Sequence, residues 1–125
     1  MARILVADDN PAVGEFVARA LNQAGHDVVP VVDGLAAVAK LAGESFDLLL
    51  ADIVMPGLDG ITLALRAARD YPHLRIILMT GYAAERQRAD NLDALIHRVL
   101  EKPFTLQQIC AIVGEELASP KRGAG

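Results

Sequence analysis

The sequence predicts an α/β fold: five parallel strands in one open sheet, with helices on both faces. Three observations carry that prediction. Five short apolar runs are spaced along the chain, amphipathic segments fall between them, and capping or turn residues mark the joins. Apolar runs without alternation mark strands buried on both faces, as in a parallel sheet covered by helices. A βα unit repeated in this way gives right-handed crossovers and layered packing.

The first run, Ile4-Leu5-Val6-Ala7, is followed by Asn10-Pro11, an N-cap with proline at the first helical position. Val13, Phe16, Val17, Ala20, Leu21 and Ala24 then recur at helical spacing, and Gly25 closes the helix. The second run is Val28-Val29-Pro30-Val31-Val32. Proline has no N–H to give to a central ladder, so this strand belongs at the sheet edge. That places the sheet in the flavodoxin-like order 2-1-3-4-5, where strand 2 is an edge. Asp33 can cap the second helix, whose apolar stripe is Leu35, Val38 and Leu41.

Leu48-Leu49-Leu50-Ala51 is the third run, and Ile61, Ala64, Leu65 and Ala68 form the stripe of the helix after it. Ile76-Ile77-Leu78-Met79 is the fourth run. The segment after it, 83–95, holds many charged and amide side chains and only a poor stripe, which predicts a short, loosely packed helix. Val99-Leu100 is the fifth run, and Leu106, Ile109, Cys110, Val113 and Leu117 follow at helical spacing. Residues 1–118 therefore read as one domain, and the polar, glycine-rich stretch 119–125 as a disordered tail.

Composition narrows the function. An apolar content of 53% in 125 residues supports one well-filled core. A net charge of −4 supplies no basic stripe for phosphate backbones, which argues against nucleic acid as a direct partner. No apolar run reaches the roughly 18 residues of a membrane span. The start, Met1-Ala2-Arg3-Ile4, leads straight into a strand and does not read as a secretory signal. A single cysteine, Cys110, cannot form an internal disulfide, which fits a cytoplasmic location.

The chemistry lies at the strand ends. Asp8 and Asp9 follow strand 1, Asp52 follows strand 3, Thr80 follows strand 4 and Lys102 follows strand 5. In an open parallel sheet the carboxyl ends of the strands form one ligand-binding edge. Taken singly, each residue has an ordinary explanation as a cap, a turn or a solvated loop residue. Taken together they converge on one mouth and share one chemistry, phosphoryl transfer to a carboxylate. Three clustered carboxylates repel each other, so they bind a cation or take up protons. Mg²⁺ suits them, because it needs few carboxylates and keeps positions for phosphate oxygens. Asp52 is the candidate nucleophile, Lys102 the fixed positive charge and Thr80 the hydroxyl donor. No zinc motif, P-loop or cysteine pair competes with this reading, and His26, His73 and His97 are scattered.

These residues sit in segments that together resemble the receiver domain of bacterial response regulators: Ile4 to Asp9, Asp52-Ile53-Val54-Met55-Pro56-Gly57-Leu58-Asp59-Gly60, Thr80-Gly81-Tyr82-Ala83 and Lys102-Pro103-Phe104. The resemblance covers residues 3 to about 118. It implies that Asp52 accepts a phosphoryl group from a histidine kinase or histidine phosphotransferase, and that Asp9, Asp52 and the Val54 backbone carbonyl hold Mg²⁺ directly, with Asp8 acting through water. It also implies a cis Lys102–Pro103 peptide. The family acts on its own aspartate rather than turning over external substrates.

One departure stands out. Most family members carry a switching Tyr or Phe three residues before the lysine, where this chain has Val99. Tyr82 offers a ring in the loop after strand 4 instead. With Thr80 to Ala84 and Val99 to Pro103, the chain resembles the CpdR-like single-domain receivers, whose unphosphorylated form primes an ATP-dependent protease. The leading expectation is thus an interaction switch with another protein as its output. A phosphorelay intermediate or phosphate sink is the alternative. A flavin protein is disfavoured, since Asp8-Asp9-Asn10-Pro11 would repel a cofactor phosphate. A turnover phosphatase is disfavoured too, since Val54 cannot act as an acid or base.

Overall fold

A computed structural model describes residues 1–81 and 98–119. The expected helix over 83–95, the ring of Tyr82, and residues 120–125 of the expected tail lie outside the described residues. The strands are β1 (Arg3–Ala7), β2 (Asp27–Val31), β3 (Leu48–Asp52), β4 (Arg75–Thr80) and β5 (Arg98–Glu101). The helices among the described residues are α1 (Pro11–Gln23), α2 (Gly34–Gly43), α3 (Gly60–Asp70) and α4 (Leu106–Ala118). All strand pairs are parallel and the order is β2-β1-β3-β4-β5, as expected from the sequence. Pro30 lies on the edge strand, where only one side of the ladder needs donors.

The three central strands, β1, β3 and β4, alternate their side chains between two buried layers. Leu5, Ala7, Leu49, Ala51, Ile76 and Leu78 face α2 and α3, meeting Ala37, Leu41, Ile61, Ala64 and Ala67. Ile4, Val6, Leu48, Leu50, Ile77 and Met79 face α1 and α4, meeting Val17, Leu21, Ile109 and Val113. Double burial is why these runs are uniformly apolar.

Capping follows the sequence signals. Asn10 accepts the N–H of Ala12 (3.0 Å) with Pro11 at the start of α1. Asp33 accepts the N–H of Ala36 (2.7 Å) and Asp59 that of Thr62 (2.8 Å). Gly25 takes a φ of 98°, the left-handed conformation that ends a helix without strain. A capping box that the sequence reading did not single out opens α4: Thr105 accepts from Gln108 N–H (3.0 Å), and the Gln108 side chain accepts from Thr105 N–H (2.7 Å).

The helix stripes are partly corrected. Leu35 is 65% exposed, and α2 instead buries Gly34, Ala37 and Leu41. Leu65, Phe16 and Leu106 are also exposed. Small residues face the sheet because they let a helix backbone come close to it, so the largest apolar side chain in a turn does not always mark the inner face. Ser119, which the sequence reading assigns to the tail, caps α4, and its hydroxyl donates to the Glu115 carbonyl (2.7 Å).

Candidate functional site

The parallel register brings the carboxyl ends of β1, β3, β4 and β5 to one edge. Ala7 pairs with Ala51, Asp52 with Met79 and Thr80 with Glu101, so the residues that end or follow these strands share one mouth. Asp8, Asp52 and Thr80 are buried there, while Asp9 is exposed at the rim. Carboxylate oxygens of Asp8, Asp9 and Asp52 all lie within 4.8 Å of one another.

Lys102 reaches into this cluster from the end of β5. Its Nζ donates to Asp8 Oδ2 at 2.8 Å and lies 3.3 Å from Asp52 Oδ2. The Lys102 backbone is fixed by its N–H, which donates to the Thr80 carbonyl at 2.7 Å, and the Lys102–Pro103 peptide bond is cis. Asp8 is held from the other side by the N–H of Asn10 (2.9 Å), so the residue that caps α1 also orients the cluster. The Val54 N–H lies 3.4 Å from Asp52 Oδ1, which sets the Val54 peptide beside the carboxylate. Val99 is half-buried in β5 against the α2/α3 layer.

Burial sets the electrostatics. Burial pushes the Asp52 carboxyl above its ordinary range; the Lys102 ammonium pulls it back, and the Asp8 charge adds to the rise. Burial lowers the Lys102 ammonium, but its hydrogen bond to Asp8 and the charges of Asp52 and Asp8 outweigh that and leave it raised. Among the described residues, the cluster therefore sets three carboxylates against one ammonium. Hard oxygen donors at this spacing with an excess of negative charge fit a divalent cation such as Mg²⁺. A buried carboxylate with an exposed approach beside a fixed lysine is suited to nucleophilic attack on phosphorus.

The structure adds two features that sequence reasoning missed. Gly60, the first residue of α3, folds back on β3: its N–H donates to the Ile53 carbonyl (2.9 Å), and a Cβ on it would lie 2.2 Å from the Asp52 carbonyl oxygen. The glycine thus lets the chain return against the backbone of the candidate nucleophile. A groove of about 500 Å³ also lies beside the site, lined by Ala12, Val13, Phe16, Lys102, Pro103 and Phe104. Phe16 and Phe104 meet there with centroids 6.3 Å apart. No sequence signal marked the groove, because Phe16 falls on the periodic stripe of α1 and reads as core.

Five parallel strands in this order, with acidic groups and a lysine at their carboxyl edge, define a class of open α/β protein with an acidic site at the strand ends. The family model for the response regulator receiver domain matches residues 4–114, and the chain belongs to that family. CpdR, a response regulator receiver protein of Brucella abortus, is 42% identical over 109 residues, covering 87% of this chain and 91% of CpdR. The transcriptional regulatory protein TcrA of Mycobacterium tuberculosis is 36% identical over 109 residues, but this chain spans only 43% of its length. A CheY-like receiver domain protein from Methanospirillum hungatei superposes with a TM-score of 0.87 at 28% identity, covering 94% of each chain. TrrA from Thermotoga maritima, crystallised with Mg²⁺ and BeF, gives 0.83 at 29% identity, covering 92% of this chain and 98% of that one. No helix among the described residues is long and apolar enough to cross a membrane.

Proposed function

We propose that the protein is a phosphorylation switch in which Asp52 takes a phosphoryl group from a histidine kinase or histidine phosphotransferase and the modification changes which protein is bound. The observation that carries this reading is the meeting of Asp8, Asp9 and Asp52 with Lys102 at the carboxyl edge of the sheet. Asp9, Asp52 and the Val54 carbonyl are the groups assigned to hold Mg²⁺ directly, with Asp8 acting through water. Mg²⁺ bound there supplies charge neutralisation to the phosphoryl oxygens.

An Asp52 carboxylate oxygen attacks the phosphorus of a phosphohistidine. The P–N bond breaks, its electron pair stays on the imidazole nitrogen, and an acyl phosphate forms on Asp52. Lys102 is already 3.3 Å from the Asp52 carboxylate and pairs with the arriving phosphoryl group. The Thr80 hydroxyl donates to another phosphoryl oxygen, a charge-assisted bond that draws the end of β4 toward the site. Tyr82 follows Thr80 by two residues and is the ring assigned to report that movement, because Val99 is too small to do so.

The output is protein binding. The resemblance of the sequence to CpdR-like receivers points to an ATP-dependent protease as the downstream partner, engaged by the unphosphorylated form, and the 42% identity to CpdR fits that reading. The test is partner capture by three forms: the unmodified protein, the protein with Mg²⁺ and beryllofluoride, and Asp52→Ala. A partner retained by the unmodified and Asp52→Ala forms and lost with beryllofluoride supports the switch. Identical partners in all three forms would contradict it and favour a phosphorelay intermediate without its own output.

A further inference from the structure

The loop between β3 and α3 runs from Ile53 to Asp59 and carries Val54 two residues beyond Asp52. It turns through Gly57 at a φ of 80° and closes where Gly60 meets the Asp52 backbone. Its outer limb is seated on a different helix. Gly34, the first residue of α2, lies so near Leu58 that a Cβ there would be 2.5 Å from the Leu58 carbonyl oxygen and 2.9 Å from the Leu58 Cβ. Contacts under about 3 Å are far inside normal van der Waals separation. One of the two atoms is backbone, so a side-chain rotation at Leu58 cannot relieve the clash.

Both partners in this contact are held. Asp33 caps α2 by accepting the Ala36 N–H (2.7 Å), which fixes the first turn, and Gly34 is buried. Leu58 packs half-buried against the α2/α3 core layer, and the next residue, Asp59, caps α3. A methyl group at Gly34 must therefore displace one of them, and the loop, which lies outside any helix or strand, gives more readily than the capped turn of α2. Gly43, at the other end of the same helix, has nothing within 4 Å of a built Cβ. The requirement for glycine at position 34 thus comes from the loop and not from α2 itself.

We infer that Gly34 is a positioning residue for the cation site: by admitting Leu58 against the start of α2, it sets the loop that carries the Val54 peptide beside Asp52. This rests on the assignment of Mg²⁺ to the Asp8, Asp9 and Asp52 cluster. The effect passes through the loop backbone, so it reads out as metal affinity rather than as stability alone.

The experiment is a calorimetric Mg²⁺ titration of wild type, Gly34→Ala, Gly43→Ala and Leu41→Ala, with denaturant unfolding of each in chelator. Gly34→Ala is expected to weaken Mg²⁺ binding about tenfold, while Gly43→Ala stays within about twofold of wild type. Leu41→Ala, which removes a buried α2 side chain, should lose stability but keep its Mg²⁺ affinity. Equal Mg²⁺ affinity in Gly34→Ala and Gly43→Ala would overturn the inference. So would a loss in Leu41→Ala as large as that in Gly34→Ala, because the effect would then follow stability. Should Gly34→Ala fail to fold, hydrogen exchange on wild type decides the matter. Coupling is reciprocal, so Mg²⁺ should slow exchange of the Ala36 and Ala37 amides in the first turn of α2 and leave the Glu44 amide unchanged. No change at Ala36 and Ala37 would overturn the inference. A wild type that binds no Mg²⁺ would instead remove the cation assignment on which it rests.

Discussion

Lys102 places its ammonium against two of the three carboxylates of the cluster. Its Nζ bridges Asp8 and Asp52 at 2.8 and 3.3 Å, so it neutralises part of the charge that attracts a cation. Under the proposed metal assignment, Mg²⁺ and the ammonium share the Asp52 carboxylate and repel each other across it. Lys102→Ala should tighten Mg²⁺ binding by roughly 3–10-fold, a modest figure because the lysine is partly solvated and can swing away. A calorimetric titration at fixed ionic strength checks this, and weaker binding in the variant would show that Lys102 organises the carboxylates instead. Asp8, Asp9, Asp52, Thr80 and Lys102 were legible in the sequence because each ends or directly follows a strand, and the strand ends define one edge. The bridging contact was not legible, since it depends on how deeply the lysine reaches.

A second residue-level effect lies at the opposite edge of the sheet. His26 Nδ1 accepts the Ala2 N–H at 3.1 Å, which requires a neutral ring nitrogen. Burial, and then the charge of the N-terminal amine, lower its pKa below the ordinary 6.5. Asp47, His73 and Arg75 line the same cavity of about 600 Å³. A depressed pKa means that the unfolded chain binds the proton more readily. The stabilisation is present above about pH 6.5 and is lost as pH falls through the lowered value. Its size is small because the ring is half-exposed and screened. Denaturant midpoints for wild type should fall on acidification from pH 7 to 5.5 more steeply than those of His26→Gln, and parallel curves would contradict the assignment.

At the scale of elements, α4 is tied to the sheet by a buried charge. Glu116 is 2% exposed and pairs with Arg75 at the start of β4 (3.0 Å) and Arg98 at the start of β5 (3.1 Å). Arg75 also donates to the Glu116 and Ser119 carbonyls, satisfying acceptors at the end of the helix. Glu116→Ala should lower stability by about 2–3 kcal/mol, less than for a fully buried pair because both arginines are partly solvated. Chemical denaturation measures this, and a loss under about 0.5 kcal/mol would mean that the clamp contributes nothing net. Spacing puts Glu116 on the inner face, seven residues after Ile109 and three after Val113, but hydropathy assigns a glutamate to solvent, so the buried charge was not legible. The strands were legible because burial on both faces forces uniform apolarity, whereas the inner faces of α2 and α3 are lined largely by glycine and alanine, whose packing role hydropathy underrates.

The groove between α1 and the loop after β5 belongs to the same scale. Its apolar wall of Val13, Phe16 and Phe104 shares Lys102 with the candidate site. Under the proposed function, a protein that hands a phosphoryl group to Asp52 covers this mouth, and the groove offers it an apolar seat. Phe16→Asp should slow transfer from a phosphorylated histidine kinase about tenfold and leave labelling by a small phosphodonor nearly unchanged. Equal slowing from both donors would place the defect in the site rather than in docking.

Over the whole molecule, the sheet acts as a frame that brings residues 8, 9, 52, 80 and 102 together. The buried layers on both faces hold that frame, while the reactive groups stand at one rim. The sequence predicted this architecture because strand order, proline placement and strand-end chemistry agree with one another. It could not predict the close seats of Gly34 and Gly60, which follow from how tightly two backbones approach. Everything proposed about signalling depends on Asp52 being the phosphoryl acceptor. Intact-mass and peptide-mapping mass spectrometry after incubation with a small phosphodonor and Mg²⁺ tests this directly. One added phosphoryl group is expected on wild type, located at Asp52, and none on Asp52→Asn; labelling that persists in Asp52→Asn, or that maps to another residue in wild type, would contradict Asp52 as the acceptor.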